Sequence, residues 1–206
     1  MSGAPPAVVA AVRSVSQPFL GESLIGLDGD TLAGRLRALP SVAGVEYDRS
    51  FPHTLRLRVT PEQPVALVRA GTQTWVVSRR GRIIRAADRL ALRRLPRVWL
   101  PSATELRPGD TLADDQQVLA VRALARVRAR FPAPIVAARE SAGQITLVLA
   151  GKQELRLGGA GALPLKLAVA ERVLETLDPV EEAGLLYLDV SLPERPVAAA
   201  NPQLSS

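Results

Sequence analysis

Residues 39–60 read LPSVAGVEYDRSFPHTLRLRVT, and this stretch decides the fold. Leu39-Pro40 ends a helix, because proline cannot continue one. Val42 to Asp48 then reads as a strand, Arg49 to His53 as a tight connection containing Pro52, and Thr54 to Thr60 as a second strand. In that second strand Leu55, Leu57 and Val59 share one face and Arg56 and Arg58 the other. Upstream, Asp28, Gly29 and Asp30 supply capping groups for a helix whose Leu32, Leu36 and Leu39 fall on one side. Ala7 to Val15, rich in Ala and Val behind Pro5 and Pro6, forms an earlier helix. The order is helix, helix, hairpin.

From Pro64 the texture changes to short strands parted by glycine-containing turns. Val65 to Arg69, Thr74 to Ser78 and Arg82 to Arg85 read as a meander, Leu95 to Leu100 adds an extended piece, and Pro101 to Thr111 is a polar loop. Asp114 and Asp115 open a helix with Val118, Val121, Leu124 and Val127 on one broad face, which stops before Pro132. Ile135 to Glu140 and Gln144 to Leu149 alternate on either side of Ser141-Ala142-Gly143, and Glu154 to Leu157 follows. Leu163 to Leu177 is a helix, Leu185 to Leu192 the final strand, and Pro193 begins a polar tail. The pattern is α+β in two unequal parts, residues 1–63 and 64–198, with a flexible tail over 199–206. No internal repeat is visible.

With 206 residues and 47% hydrophobic content the chain buries a core of its own. Its net charge of +6 raises nucleic acid or an anionic surface as partners. Clustering tests that reading, and most arginines fail it: Arg56 and Arg58 line a strand's outer face, and Arg122, Arg126 and Arg130 recur along a helix face. Only Arg79 to Arg85 and Arg89 to Arg97 are locally dense. The absence of cysteine removes disulfides and thiolate metal sites, and no apolar run approaches the roughly 20 residues that span a bilayer. His53, the sole histidine, lies in a turn with no activated-serine motif beside it, so a triad is not indicated. Gly158, Gly159 and Gly161 precede a helix without the Lys-Ser/Thr step of a phosphate loop. The acidic pairs Asp28 with Asp30, Asp114 with Asp115, and Glu181 with Glu182 fall at helix ends or loops, where capping accounts for them. Trp75 and Trp99 sit in apolar strand runs and are expected in the core. No catalytic residue, metal ligand or cofactor site emerges.

Leu39-Pro40-Ser41-Val42, Val45, Arg49, Phe51-Pro52, Thr54-Leu55-Arg56-Leu57, Val59 and Pro64-Val65-Ala66 together resemble the POTRA domain of the bacterial FtsQ/DivIB cell-division family. The likeness continues through Trp75-Val76-Val77-Ser78 with Gly81, Leu95-Pro96, Leu147 and Leu149, Glu154 to Gly158, Lys166, and Tyr187-Leu188-Asp189-Val190 with Pro193. The resemblance implies a POTRA-like domain lacking its first strand, then a larger antiparallel β domain with two helices. It also implies a non-enzymatic scaffold anchored in the cell membrane by a segment absent from these residues, working outside it at the septum. FtsB/DivIC-like and FtsL-like proteins and other divisome components are its implied partners. The missing first strand and anchor would be encoded upstream of Met1. A family-like ion pair before the second domain is not expected, because Pro61 and Glu62 stand in its places.

The resemblance assigns partner binding to Tyr187, Leu188, Asp189, Val190, Ser191 and Leu192, with Glu194 and Arg195 at the rim. Alternation puts Leu186, Leu188, Val190 and Leu192 on one face and Tyr187, Asp189 and Ser191 on the other, and the last strand in a chain is expected at a sheet edge where a partner strand adds. Recruitment to the division site is assigned to a surface including Leu36, Val42 and Glu46. Three rivals stand beside this reading. A basic nucleic-acid-binding domain would need its arginines to converge on one face, a POTRA-bearing transport component would show tandem units, and a wall-glycan enzyme would need two facing carboxylates.

Overall fold

The computed structural model describes residues 4–21, 23, 26–50, 54–70, 72–99, 105–112, 116–177 and 184–200. Phe51, Pro52, His53, Asp114, Asp115, Glu181 and Glu182 therefore lie outside the described residues. Among the described residues two main hydrophobic cores and a smaller third cluster form, and the architecture is α+β.

The N-terminal core is built by α1 (Pro6–Ser16), α2 (Gly29–Ala38) and an antiparallel pair, β1 (Val42–Ser50) with β2 (Thr54–Pro61). Helix α2 starts at Asp28, whose Oδ1 accepts from the backbone of Asp30 at 3.0 Å and Thr31 at 3.2 Å. The Thr31 hydroxyl and these amides hold the Asp28 carboxyl below its ordinary pKa. Val8 and Val12 of α1, Leu32, Ala33 and Leu36 of α2, and Val42 and Val45 of β1 make the buried cluster, with Leu55, Leu57 and Val59 packed against it. Gly29 lies beneath the Tyr47 ring, where a Cβ would come within 2.6 Å of Cε2. The Tyr47 hydroxyl donates to Asp30 Oδ1 at 3.0 Å, which ties α2 to β1.

The second core lies on a nine-stranded sheet. Its strands in chain order are β3 (Pro64–Ala70), β4 (Gln73–Ser78), β5 (Ile83–Ala86), β6 (Arg97–Trp99), β7 (Ile135–Ser141), β8 (Gln144–Leu149), β9 (Glu154–Gly158), β10 (Leu185–Asp189) and β11 (Val197–Ala200). Across the sheet they run β11-β10-β9-β8-β7-β6-β3-β4-β5. The sheet is mixed: β3 with β6, β6 with β7, and β9 with β10 are parallel. Helical connections return the chain in the same direction, through α4 (Gln116–Arg126) between β6 and β7 and α5 (Leu163–Thr176) between β9 and β10. A third helix, α3 (Arg89–Arg94), intervenes before β6. Its six residues are too few for a periodic signal, and its mark in the sequence is Asp88, whose Oδ1 caps Ala91 N at 2.8 Å. The β7–β8 turn has positive φ at both Ala142 (51°) and Gly143 (78°), the backbone a tight hairpin of native twist requires.

Val118, Val121 and Leu124 of α4 and Leu163, Leu167, Ala170 and Leu174 of α5 cover one sheet face, over Ile145, Leu147, Leu155, Leu157 and Leu188. On the opposite face Ala91 of α3 packs with Leu67, Val76 and Ile84. Trp75 packs against the main core as expected, but Trp99 is 58% exposed. Val98 points into the core, so strand alternation turns Trp99 to the other face.

The C-terminus departs most from the expected pattern. Strand β10 stops at Asp189, a turn follows, and β11 pairs antiparallel with β10 on the side away from β9. Asp189 Oδ1 accepts from Ser191 N at 2.8 Å and Leu192 O from Arg195 N at 3.0 Å, which bends the chain where continued strand was expected. The short β11, three of its four residues alanine, has little strand signature of its own. A register shift between Leu185 and Tyr187 breaks the alternation, so Leu185 is buried and Leu186 is exposed.

Candidate functional site: the C-terminal sheet edge and the unit junction

Two places combine accessible polar groups with a defined scaffold. The first is the end of the sheet at β10 and β11. The solvent-facing side of β9 and β10 carries an ionic ladder: Glu154 Oε2 accepts from Arg156 Nη2 at 3.0 Å and Nε at 3.1 Å, and Glu154 Oε1 accepts from Arg139 of β7. The Arg156 guanidinium lies over the Tyr187 ring, 3.9 Å from its centroid. These hydrogen bonds, led by that from Arg156, lower the Glu154 pKa against the opposing effect of burial. Of the residues expected to bind a partner, Leu188 and Val190 are buried in the main core, while Tyr187, Asp189 and Ser191 are half-buried and Leu192, Glu194 and Arg195 exposed. Ser191 N is engaged by Asp189, so it is no free edge donor, and β10 is flanked on both sides. Among the described residues of the large sheet, β11 is the end strand at this side and has no strand on its outer side. At the other end of the sheet the outer side of β5 is engaged at its first residue, where Ile83 N donates to Asp110 O at 2.8 Å and Gly109 N to Ile83 O at 2.8 Å.

The second place is the junction between the two cores. Only Glu62 and Gln63 separate β2 from β3, and both are tied: Glu62 N donates to Ser41 O at 2.9 Å and Arg79 N to Gln63 O at 3.0 Å. The β4–β5 turn then reaches across. Arg82 donates through Nη1 to Arg37 O at 3.4 Å and Val42 O at 3.3 Å, and through Nη2 to Arg37 O at 3.4 Å and Ala38 O at 3.3 Å. Arg80 Nη1 donates to Ala43 O at 3.0 Å. Arg37 and Ala38 are the last residues of α2, so a guanidinium caps carbonyls that the helix leaves without partners, at the negative end of its dipole. The dense arginine run noted in the sequence thus serves as an interdomain clamp in part, a use that spacing alone does not reveal.

A family model for the POTRA domain, FtsQ-type, matches residues 9–60. That span covers most of α1, all of α2 and β1, and most of β2. The chain is 29% identical to the cell division protein FtsQ of Streptomyces venezuelae over 92% of its own length and 69% of that protein's. It is 28% identical to the FtsQ of Streptomyces coelicolor, over 98% and 76%, and 32% identical to that of an Anaeromyxobacter species, over 82% and 58%. The N-terminal unit is thus similar to the FtsQ-type POTRA domain, and the chain over most of its length to FtsQ cell-division proteins. Its role is in cell division. The similarity to the Streptomyces proteins runs through the large sheet as well as the N-terminal unit, so both candidate places lie within it.

The residues expected on a recruitment surface divide. Leu36 is 0% exposed and Val42 1%, both in the N-terminal core, so they shape that surface from beneath. Glu46 is outside and pairs with Arg58 at 3.4 Å. Among the described residues no group of three His, Asp or Glu could hold a metal, and no helix is long and apolar enough to cross a membrane. Sequence reasoning missed Val197–Ala200 and the contacts of Arg80 and Arg82. The Pro193 and Pro196 pair flanking a turn was the one available signal for the former.

Proposed function

We propose that the chain is a non-enzymatic scaffold of the division machinery, working outside the cytoplasmic membrane, with a POTRA domain over residues 1–63 and a β domain over 64–198 extended by β11. On this reading the β domain receives FtsB/DivIC-like and FtsL-like partners by strand addition. The observation that carries it is the unpaired outer side of β11 at one end of the large sheet, set beside a β5 already engaged at Ile83 by the loop of Gly109 and Asp110. An edge strand offers alternate N–H and C=O groups to an incoming strand. Its side chains are small, and Val197 is exposed, so nothing bulky guards the edge. Tyr187, Asp189, Glu194 and Arg195 lie near enough in the chain to select the partner once its backbone has docked, while Leu188 and Val190 hold the strand beneath in place. Glu46 is the accessible member of the proposed recruitment surface.

Neighbouring residues of a strand point their N–H groups to opposite sides, so Ala198→Pro and Ala199→Pro remove one inward and one outward donor. The inward variant lowers the melting temperature; the outward one leaves it near the parent's. The folded, outward variant is expected to lose binding to an FtsB-type segment from the same cell in calorimetry. Undiminished binding by that variant excludes β11 as the docking edge. Failure of the parent chain to bind FtsB-, DivIC- or FtsL-type segments at all excludes the partner assignment.

A further inference from the structure

The helix side of the large sheet holds an open pocket of about 480 Å³ lined by Arg79, Arg122, Ala125, Arg126 and Pro164. Arg122 and Arg126 stand one turn apart on α4, as the sequence spacing implies, and Arg79 approaches them from the β4–β5 turn. Arg79 is held in place by two neutral acceptors, Ala125 O to Nη2 at 2.6 Å and Gln63 Oε1 to Nη1 at 3.3 Å, and neither removes its charge. Pro164 belongs to the first turn of α5, a 14-residue helix whose N-cap, Ala162, has no side chain to cap it. The positive end of that helix therefore adds to the guanidiniums. Arg79 and Arg126 bring like charges to this opening, and an anion between them would offset their repulsion.

From this convergence we propose that the pocket is a binding site for a phosphate group. It goes beyond the scaffold reading and does not depend on it. The number and placement of donors favour phosphate over carboxylate. A carboxylate presents two coplanar oxygens, which one arginine fork satisfies. Guanidiniums arriving from two separate elements match a tetrahedral group with acceptors pointing several ways. Ala125 and Pro164 give the pocket an apolar wall suited to the carbon atoms of a phosphate ester. Because Arg79 also bonds Gln63 in the junction, an occupied pocket would stiffen the link between the two cores.

The test uses the isotope-labelled full chain and follows the arginine side-chain Nε–H signals. The probes are inorganic phosphate, glycerol phosphate, acetate, and phosphatidylcholine vesicles with or without phosphatidylglycerol. Saturable shifts of the Arg79 and Arg126 signals with phosphate are expected, and Arg126→Gln weakens binding about tenfold, the loss of one charge-assisted hydrogen bond. Arg130→Gln, outside the pocket, leaves it unchanged. If glycerol phosphate binds as tightly as phosphate and vesicles add nothing, the ligand is a free phosphate or its ester. Retention by phosphatidylglycerol vesicles that Arg126→Gln abolishes makes it a lipid headgroup. The proposal is overturned if no probe saturates, if acetate binds as tightly as phosphate, or if Arg126→Gln and Arg130→Gln weaken binding equally.

Discussion

Replacing Arg82 by methionine keeps the apolar stem and removes the guanidinium that joins the two cores. Four donor–acceptor contacts of 3.3–3.4 Å to Arg37, Ala38 and Val42 are lost together. Hydrogen bonds from a charged group contribute about 1.5–3 kcal/mol, and a cation at a helix C-terminus about 0.3–1 kcal/mol. The lengths here are at the long end, and water replaces part of the loss at a half-buried site, so the net effect is about 2 kcal/mol. That is roughly a 30-fold rise in the equilibrium for opening the junction. Hydrogen exchange of α2 amides should accelerate by that factor, while exchange in β8, inside the main core, stays as in the parent. Residual dipolar couplings supply a second readout. One alignment tensor should fit both units of the parent, and two should be needed for Arg82→Met. Exchange in α2 that changes by less than about threefold, with one tensor still sufficient, would refute the clamp, since it corresponds to under about 0.7 kcal/mol.

Gly158→Ala should destabilise the large-sheet unit by about 2–3 kcal/mol, seen as a lower urea midpoint, because φ is +63° and the new Cβ would stand 2.7 Å from Ser191 Cβ and 3.3 Å from its Cα. Gly29→Ala should push the Tyr47 ring off α2 and break the Tyr47–Asp30 hydrogen bond, which shifted Tyr47 ring resonances and faster α2 exchange would reveal. Glu154 has a folded-state pKa below its ordinary value of 4.5, so the stability it confers is full above that value and is lost as pH falls through the lower, folded pKa. The stability difference between the parent and Glu154→Gln should therefore be flat at neutral pH and shrink only in acid; a difference that grows on acidification contradicts the ladder.

What was legible in the sequence is what short-range periodicity encodes. Leu55, Leu57 and Val59 face inward and Arg56 and Arg58 outward as alternation requires, and Val118, Val121 and Leu124 enter the core from one helix face. Asp28 caps α2 because capping is a contact over two or three residues. The parallel pairings were not legible, because the partner of β6 in β3 lies some 30 residues away by the numbering and no local pattern names it. Nor was β11, where alanines carry no alternation and the pairing is specified by β10. The arginines show the same division most sharply. Read along the chain, Arg79, Arg80 and Arg82 are a dense basic run, and Arg122 and Arg126 a solvated helix face. In the fold, Arg80 and Arg82 turn toward the carbonyls at the end of α2, and Arg79 turns toward α4. Their positive charge is directed largely at backbone carbonyls, neutral groups whose positions exist only after both cores have formed. Net charge in this chain is thus a poor guide to a polyanionic partner, and the place where Arg79, Arg122 and Arg126 gather around open space, beside Pro164, is set by the packing of α4 against α5.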